Sequence, residues 1–175
     1  MGDFVNNNHN PLREGELWRQ DRINYQLNEI NKIKNLVTLS GGWAWHFMSP
    51  PHKEIRTLHD HKDIDVFVDP IDFNELRDIL TSNGYERAKT RYDDPSGDFY
   101  RYIKRYEFGK VVYDVFVKSV EFVNVNDVKV VEPSYLISLY GNKHTTDNCI
   151  AVNAAKGLLA KNINPLLRSE LIGNN

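Results

Sequence analysis

The chain has 175 residues, of which 41% are hydrophobic and 26% charged, values typical of one compact globular domain rather than of a disordered chain. The 22 basic and 24 acidic side chains leave a formal charge of −2, which excludes a globally basic nucleic-acid-binding protein. The single cysteine, Cys149, cannot form an internal disulfide, and no apolar run is long enough to span a membrane. The composition therefore predicts a cytoplasmic protein that does not enter a membrane.

The N-terminal part of the chain predicts a disordered terminus and then one long helix. Residues 1–10 include four asparagines and have little to bury, so we expect them to be disordered. Over residues 11–36, apolar side chains recur every three to five positions, which is the spacing of an amphipathic helix. We expect residues 11–175 to form a single domain, with a helical segment at about 133–168.

A glycine pair separates the next strand from the next helix. Residues 37–39 favour a short strand, and Ser40-Gly41-Gly42 follows it directly. Two adjacent glycines allow a tight turn and a close approach of the backbone to a ligand. We expect the turn to lead into an aromatic-rich helix over residues 43–48.

Residues 63–68 predict the clearest strand of the chain. Their alternation places Asp63, Asp65 and Phe67 on one face and the apolar residues 64, 66 and 68 on the other, which we expect to pack inward. The segment 69–72, which ends at Asp72, is typical of a helix cap. The helix that it begins is expected to run to residue 83 and to stop at Gly84.

The second half of the chain is rich in β-favouring residues. Four segments are dense in Val, Tyr, Phe and Ile and are separated by turn residues, which predicts a meander of antiparallel strands. The segments are residues 85–91, 99–108, 110–117 and 120–131. A short helix is expected after Glu132-Pro133, ending near Gly141, and a final helix over residues 145–161.

Three carboxylates carry the strongest chemical signal. Alternate strand residues project side by side, so Asp63 and Asp65 have the spacing to bind one or two Mg²⁺ ions while a triphosphate completes the coordination. Asp114 lies within the apolar strand segment 111–117, where a lone charge is costly to bury unless it is paired or bound to a metal. An ion pair with Arg101 or Arg105 is the alternative explanation of Asp114.

These motifs, in this order, resemble the nucleotidyltransferase superfamily that includes DNA polymerase β. The closest likeness is to the small lincosamide and aminoglycoside 2''-nucleotidyltransferases, on three elements: Gly41-Gly42-Trp43-Ala44, His61-Lys62-Asp63-Ile64-Asp65, and Lys143-His144-Thr145-Thr146-Asp147. The resemblance implies an α/β (α+β) domain with a mixed, largely antiparallel sheet, helices on one side and C-terminal helices. The oligomeric state stays open, with a homodimer among the possibilities.

The resemblance also implies an activity. A nucleoside monophosphate would pass from a nucleoside triphosphate, with ATP the expected donor, to a hydroxyl of an aminoglycoside-like or lincosamide-like molecule, releasing pyrophosphate. Two Mg²⁺ ions would be held by the carboxylates of Asp63, Asp65 and Asp114, and Asp114 would act either as the general base or only as a metal ligand. The triphosphate would be bound by Ser40, Gly41, Gly42 and Lys143, and His61 would position the metal carboxylates.

Other functions fit parts of the same sequence. The chain has Trp45-His46 and His59 where the small-molecule enzymes usually have an acidic residue and an arginine, so a tRNA or protein acceptor, as in toxin-like members, is the first alternative. A nucleotide-binding module without catalysis is the second. The string His59-Asp60-His61-Lys62-Asp63 resembles part of a metallo-β-lactamase site, but Ile64 stands where that site has a histidine.

The segment 87–110 interleaves basic and tyrosine side chains, a composition that RNA-binding strands share. A twisted hairpin with solvated basic residues explains the same composition. The tip of this hairpin, residues 93–98, is acidic and would suit a cationic acceptor if it lay near the site.

Overall fold

The computed structural model describes residues 20–48, 63–91, 97–107 and 109–140. These segments contain helices α1 (Gln20–Ile33), α2 (Gly41–Met48), α3 (Phe73–Ser82) and α4 (Pro133–Tyr140). They also contain strands β1 (Val37–Leu39), β2 (Ile64–Val68), β3 (Glu86–Ala88), β4 (Phe99–Tyr106), β5 (Gly109–Val117), β6 (Phe122–Val125) and β7 (Val128–Val131). Within the described residues, no helix is both long and apolar enough to cross a membrane.

The strands form one seven-stranded sheet in the order β3-β4-β5-β2-β1-β7-β6. The neighbours β2 and β5 are parallel, as are β1 and β7, and the other four pairs are antiparallel. A mixed, largely antiparallel sheet was expected from the sequence, and the structure confirms it.

One face of the sheet is apolar and covered. Ile64 and Val66 of β2 are fully buried, and the register places Val66 beside Val115 of β5 and Leu39 of β1 on the same face. Helix α1 packs on this face, because the Tyr85 hydroxyl donates to Glu29 of α1 at 2.8 Å while the Tyr85 ring contacts the ring of Tyr113. We call this the covered face.

The β-rich half does not form a single meander, so that prediction was wrong. Strands β3, β4 and β5 are consecutive antiparallel neighbours, but β6 and β7 form a hairpin at the opposite edge, where β7 pairs with β1. The cause is the insertion of β1 and β2 between β5 and β7. Local strand patterns carry no information about such pairing between distant segments.

The helices differ from the prediction mainly at their ends. Helix α1 ends at Ile33, where a turn closed by the Leu36 N–H and the Ile33 carbonyl begins, rather than at residue 36. Helix α2 begins at Gly41 itself, and α3 ends at Ser82. Asp72 occupies the N-cap position of α3, but its side chain makes no capping hydrogen bond. The predicted helix start at residue 11, the helix stop at Gly141 and the final helix at 145–161 lie outside the described residues.

Candidate active site

The sheet register brings two of the three carboxylates together. Asp65 of β2 lies directly opposite Asp114 of the parallel strand β5, so both side chains project from the same face. That face is opposite to the covered face, because the flanking residues Ile64 and Val66 point the other way. Asp63 precedes Asp65 by two residues and lies directly before β2. We call this face, with its three carboxylates, the site face.

Asp114 is buried, with 7% of its surface exposed, and is paired with Arg101. The register of β4 and β5 places Arg101 directly opposite Asp114. The Arg101 Nε–H donates to Asp114 Oδ1 at 2.6 Å, and Nη2 donates to Oδ2 at 2.7 Å. The ion pair considered from the sequence as the alternative for Asp114 is thus present, and its partner is Arg101 rather than Arg105.

The guanidinium of Arg101 faces the other carboxylates as well. Its Nη2 lies 3.6 Å from Asp63 Oδ2. The hydrogen bonds to Asp114, together with the negative charges of Asp114, Asp63 and Asp65, raise the pKa of Arg101 above its ordinary value although burial opposes the shift. All three carboxylates therefore act on one cation.

The side chains of this site are of the type that binds magnesium, but they are not arranged to hold an ion. Carboxylate oxygens are the hard ligands that Mg²⁺ prefers, and the site supplies them from three side chains on one face. In the described part of the chain, however, no three acidic, histidine or cysteine side chains are gathered closely enough to hold an ion as they stand. Between Asp63 and Asp114 lies the guanidinium of Arg101.

The glycine turn contacts Asp65 directly. The backbone N–H of Ser40 donates to the Asp65 carbonyl at 2.8 Å, which extends the pairing of β1 and β2 by one residue. Gly41 follows with φ of +60°, a conformation in which residues with a side chain are strained. A Cβ atom at Gly41 would lie 2.2 Å from Asp65 Oδ2. Only glycine therefore fits this position while Asp65 keeps its place.

The same turn begins helix α2 beside the carboxylates. The Ala44 N–H donates to the Ser40 carbonyl at 3.2 Å, so Gly41 and Gly42 belong to the first helical turn, whose amides have no acceptor within the helix. Such amides attract anionic groups. The N–H of Ser40 is already bonded, which leaves its hydroxyl as the group of Ser40 that can reach a phosphate.

A cleft of about 540 Å³ opens on the site face next to the carboxylates. Asp65 and Gly41 line one part of it, and Phe67 and Phe116 line it from β2 and β5. The two phenylalanines are direct neighbours in the register, with ring centroids 5.4 Å apart. They give the cleft an apolar, aromatic surface that lies next to Asp65.

Residues of α4 and two charged residues also line the cleft. The ring of Tyr135 lies 6.2 Å from that of Phe67, and Leu136 and Leu139 extend this wall. Lys118 also lines the cleft, with its Nζ 3.4 Å from the Tyr135 hydroxyl. Asp98, from the end of the predicted acidic hairpin tip, also lines the cleft.

No family model matches the chain, and no curated protein matches it. Solved structures do. The lincosamide antibiotic adenylyltransferase LnuA, in a lincomycin-bound crystal structure, superimposes with a TM-score of 0.53 at 14% identity, over 81% of this chain and 98% of LnuA. ANT(2")-Ia in complex with adenylyl-2"-tobramycin gives 0.57 at 16% identity, over 86% of this chain and 98% of that one. The Megavirus polyadenylate synthase gives 0.51 at 13%, over 78% of this chain and 31% of the synthase.

The chain has the polymerase β-like nucleotidyltransferase fold. At these sequence identities the superpositions establish the fold but not the reaction. Within this nucleotidyltransferase fold, Asp65 and Asp114 lie side by side on the site face, and the Ser40 N–H of the glycine turn is bonded to the Asp65 carbonyl. The predicted site residues His61 and Lys143 lie outside the described residues.

Sequence reasoning did not assign Arg101 to the site, nor the aromatic residues of the cleft. For Phe67 a signal existed, because its alternation already placed it on the same face as Asp63 and Asp65. Trp45 and His46, where an acidic residue was expected by resemblance, are buried within α2. Trp45 and its neighbour Trp43 belong to the hydrophobic core.

Several basic side chains of segment 87–110 are engaged within the protein. The guanidinium of Arg87 lies over the Tyr100 ring at 4.6 Å. The Nζ of Lys104 lies 3.4 Å from both carboxylate oxygens of Glu29, and Arg101 pairs with Asp114. The interleaved pattern in the sequence is therefore explained in part by internal contacts, without a nucleic acid.

Proposed function

We propose that this protein is a nucleotidyltransferase that moves a nucleoside monophosphate from a nucleoside triphosphate to a hydroxyl group and releases pyrophosphate. The observation that carries the proposal is the register of β2 and β5, which places Asp65 beside Asp114 on the site face. The glycine turn of Ser40 and Gly41 is hydrogen-bonded to the same residue, Asp65. Carboxylates for metal ions and amides for phosphates are thus adjacent, as phosphoryl-transfer chemistry requires.

The proposed roles follow from these positions. Asp63, Asp65 and Asp114 would hold two Mg²⁺ ions, which when bound supply charge neutralisation for the triphosphate and lower the pKa of the acceptor hydroxyl. Asp114, the most buried of the three, would either accept the hydroxyl proton or serve only as a ligand.

The phosphates would be bound at the start of α2. The amides of Gly41 and Gly42 and the hydroxyl of Ser40 are the donors that this turn offers. The roles of Lys143 as a further phosphate contact and of His61 as a positioning residue rest on the family resemblance alone. We propose ATP as the donor and the cytoplasm, which supplies ATP and Mg²⁺, as the location.

For the acceptor we propose a small, cationic, hydroxyl-bearing molecule of the aminoglycoside or lincosamide kind. The cleft beside the carboxylates is of the size that small ligands occupy, and it combines aromatic surface with few polar groups. Asp98, which lines the cleft, would attract a cation. Two of the superimposed structures carry such molecules, lincomycin in LnuA and adenylyl-2"-tobramycin in ANT(2")-Ia.

The donor site is tested by thermal unfolding with each of the four ribonucleoside triphosphates, with and without Mg²⁺. A ligand that binds the folded state raises the melting temperature by mass action. We expect a rise that needs both Mg²⁺ and one triphosphate and that Asp65→Asn abolishes. Asp78→Asn is the matched control, because Asp78 is an exposed carboxylate on α3. If no triphosphate changes the melting temperature of the wild type, the proposal is refuted.

The acceptor is tested with the triphosphate that binds, labelled at its α-phosphate. Transfer of label to an aminoglycoside or lincosamide, lost in Asp65→Asn and kept in Asp78→Asn, is the expected result. Label found instead on RNA or on protein would contradict the small-molecule acceptor and keep the reaction class. Binding without transfer to any acceptor class, and without release of pyrophosphate, would identify a nucleotide-binding module.

A further inference from the structure

Arg101 occupies the centre of the proposed metal site. Its guanidinium bonds both oxygens of Asp114, at 2.6 and 2.7 Å, and its Nη2 lies 3.6 Å from Asp63 Oδ2. The strand register fixes this arrangement, since Arg101 of β4 is directly opposite Asp114 of β5. The proposed reaction assigns no role to this residue.

A bidentate guanidinium and a divalent cation compete for the same carboxylates. Each satisfies the charge of a buried carboxylate such as Asp114, and two cations a few ångströms apart repel each other strongly in a partly buried site. Arg101 has 28% of its side chain exposed, so its long stem gives the guanidinium a route to solvent or to another anion. The ion pair is therefore one of two arrangements open to these side chains.

We propose that Arg101 is an internal counter-ion that holds Asp63 and Asp114 in place of a metal ion and releases them when the metal-bound triphosphate enters. The inference rests on the proposed function, because it concerns the same site. It predicts that the free protein binds a divalent cation poorly. Once the triphosphate is present, its oxygens offer the guanidinium a bidentate anionic partner, and the carboxylates become available to the metal.

The test is the affinity of the nucleotide-free protein for Mn²⁺, measured from the loss of the electron paramagnetic resonance signal of the free ion. Arg101→Gln removes the charge and keeps an amide that can donate to Asp114. Arg101→Lys keeps the charge but loses the planar guanidinium that bonds both carboxylate oxygens at once. We expect Arg101→Gln to bind Mn²⁺ at least about tenfold more tightly than the wild type. Arg101→Lys should stay within a few-fold of the wild type.

The outcomes separate this inference from the proposed function. Suppose that Asp65→Asn abolishes Mn²⁺ binding, but that Arg101→Gln binds Mn²⁺ no more tightly than the wild type. This result overturns the counter-ion role of Arg101 and supports the metal site. Absence of binding in all variants, with no Mg²⁺-dependent binding of triphosphate in the thermal test, overturns both.

A second measurement uses the wild type and so does not depend on the folding of a variant. The Arg101 Nε–H, bonded to Asp114 Oδ1, should give a distinct nitrogen-correlated proton signal in nuclear magnetic resonance spectra. Mg²⁺ with a non-hydrolysable triphosphate analogue should shift this signal, and Mg²⁺ alone should not. A signal unchanged by the bound complex would overturn the release of Asp114.

Discussion

Replacement of Gly41 by alanine tests the glycine turn and the position of Asp65 together. The residue has φ of +60°, and a Cβ there would lie 2.2 Å from Asp65 Oδ2, whereas unbonded neighbours of a Cβ stay at least 3.0 Å away. The left-handed conformation costs about 1–2 kcal/mol for a residue with a side chain. The carboxylate also has to move by roughly 1 Å, a displacement that can cost about a hundredfold in binding or rate at a catalytic site.

Gly84 provides the matched control. It too has positive φ, +86°, but a Cβ there would meet nothing within 4 Å. Gly84→Ala therefore carries the conformational cost alone, which in a domain of this size lowers the melting temperature by roughly 2–8 °C. We expect Gly41→Ala to lose more stability than Gly84→Ala, because it adds the clash with Asp65, and to lose in addition the stabilisation by Mg²⁺ with triphosphate. Gly84→Ala should keep that stabilisation.

The assay is thermal unfolding of the wild type and both variants, with and without Mg²⁺ and the triphosphate that binds. At a ligand concentration of about 100 times Kd, the bound complex stabilises the fold by about 2.7 kcal/mol, which is a rise of several degrees. A Gly41→Ala protein that melts no lower than Gly84→Ala, or that responds to the ligand as the wild type does, would refute the contact between Gly41 and Asp65.

Three further predictions concern other parts of the molecule. Burial raises the pKa of Glu29, but hydrogen bonds from Lys32 and Tyr85 outweigh it and hold the pKa below its ordinary value of 4.5. The stability from this ionised carboxylate is thus present above pH 4.5 and lost as the pH falls through the lowered pKa. Glu29→Gln should reduce the free energy of unfolding in urea by about 2–4 kcal/mol at neutral pH and by less near pH 3, whereas a comparable loss in both conditions would contradict the role of the charge. Lys118→Met should strengthen the binding of an aminoglycoside about threefold to tenfold at low salt and less at high salt, as measured by titration at two ionic strengths, because Lys118 lines the cleft proposed for the cationic acceptor and repels it. Asp127→Gly should raise the melting temperature by about 1–4 °C, because Asp127 has φ of +64° in the β6–β7 turn; a decrease would argue against strain there.

Local chemistry made the strands predictable in this sequence. The alternation around Asp65 and the apolar runs of the later strands identify β2, β4 and β5, and the turn residues Asn126 and Asp127 separate β6 from β7. Which strand lies beside which was not predictable in the same way. The parallel pairing of β2 and β5 joins segments that are far apart in the sequence, and no local pattern encodes it.

The same limit explains why Arg101 was considered only as a partner of Asp114 and not as part of the site. From the sequence, Arg101 and Arg105 are both basic residues of one strand, and both stand on the same face when alternate residues are counted. The register of β4 and β5 decides between them. It places Arg101 opposite Asp114 and Arg105 opposite Lys110, at the other end of the pair.

The alternation of apolar and polar residues in β2 stabilises the sheet and also determines the face on which Asp65 lies. A slip of one residue between β2 and β5 would turn Asp65 toward the covered face and expose Ile64 and Val66, each of which stabilises the fold by about 1.5–3 kcal/mol when buried. The antiparallel pairing with β1 brings the end of β1, and with it the bond from the Ser40 N–H, to Asp65. On its other side β2 pairs with the parallel strand β5, which carries Asp114. Strand β2 therefore aligns the carboxylates and the glycine turn through the same hydrophobic contacts that form the core.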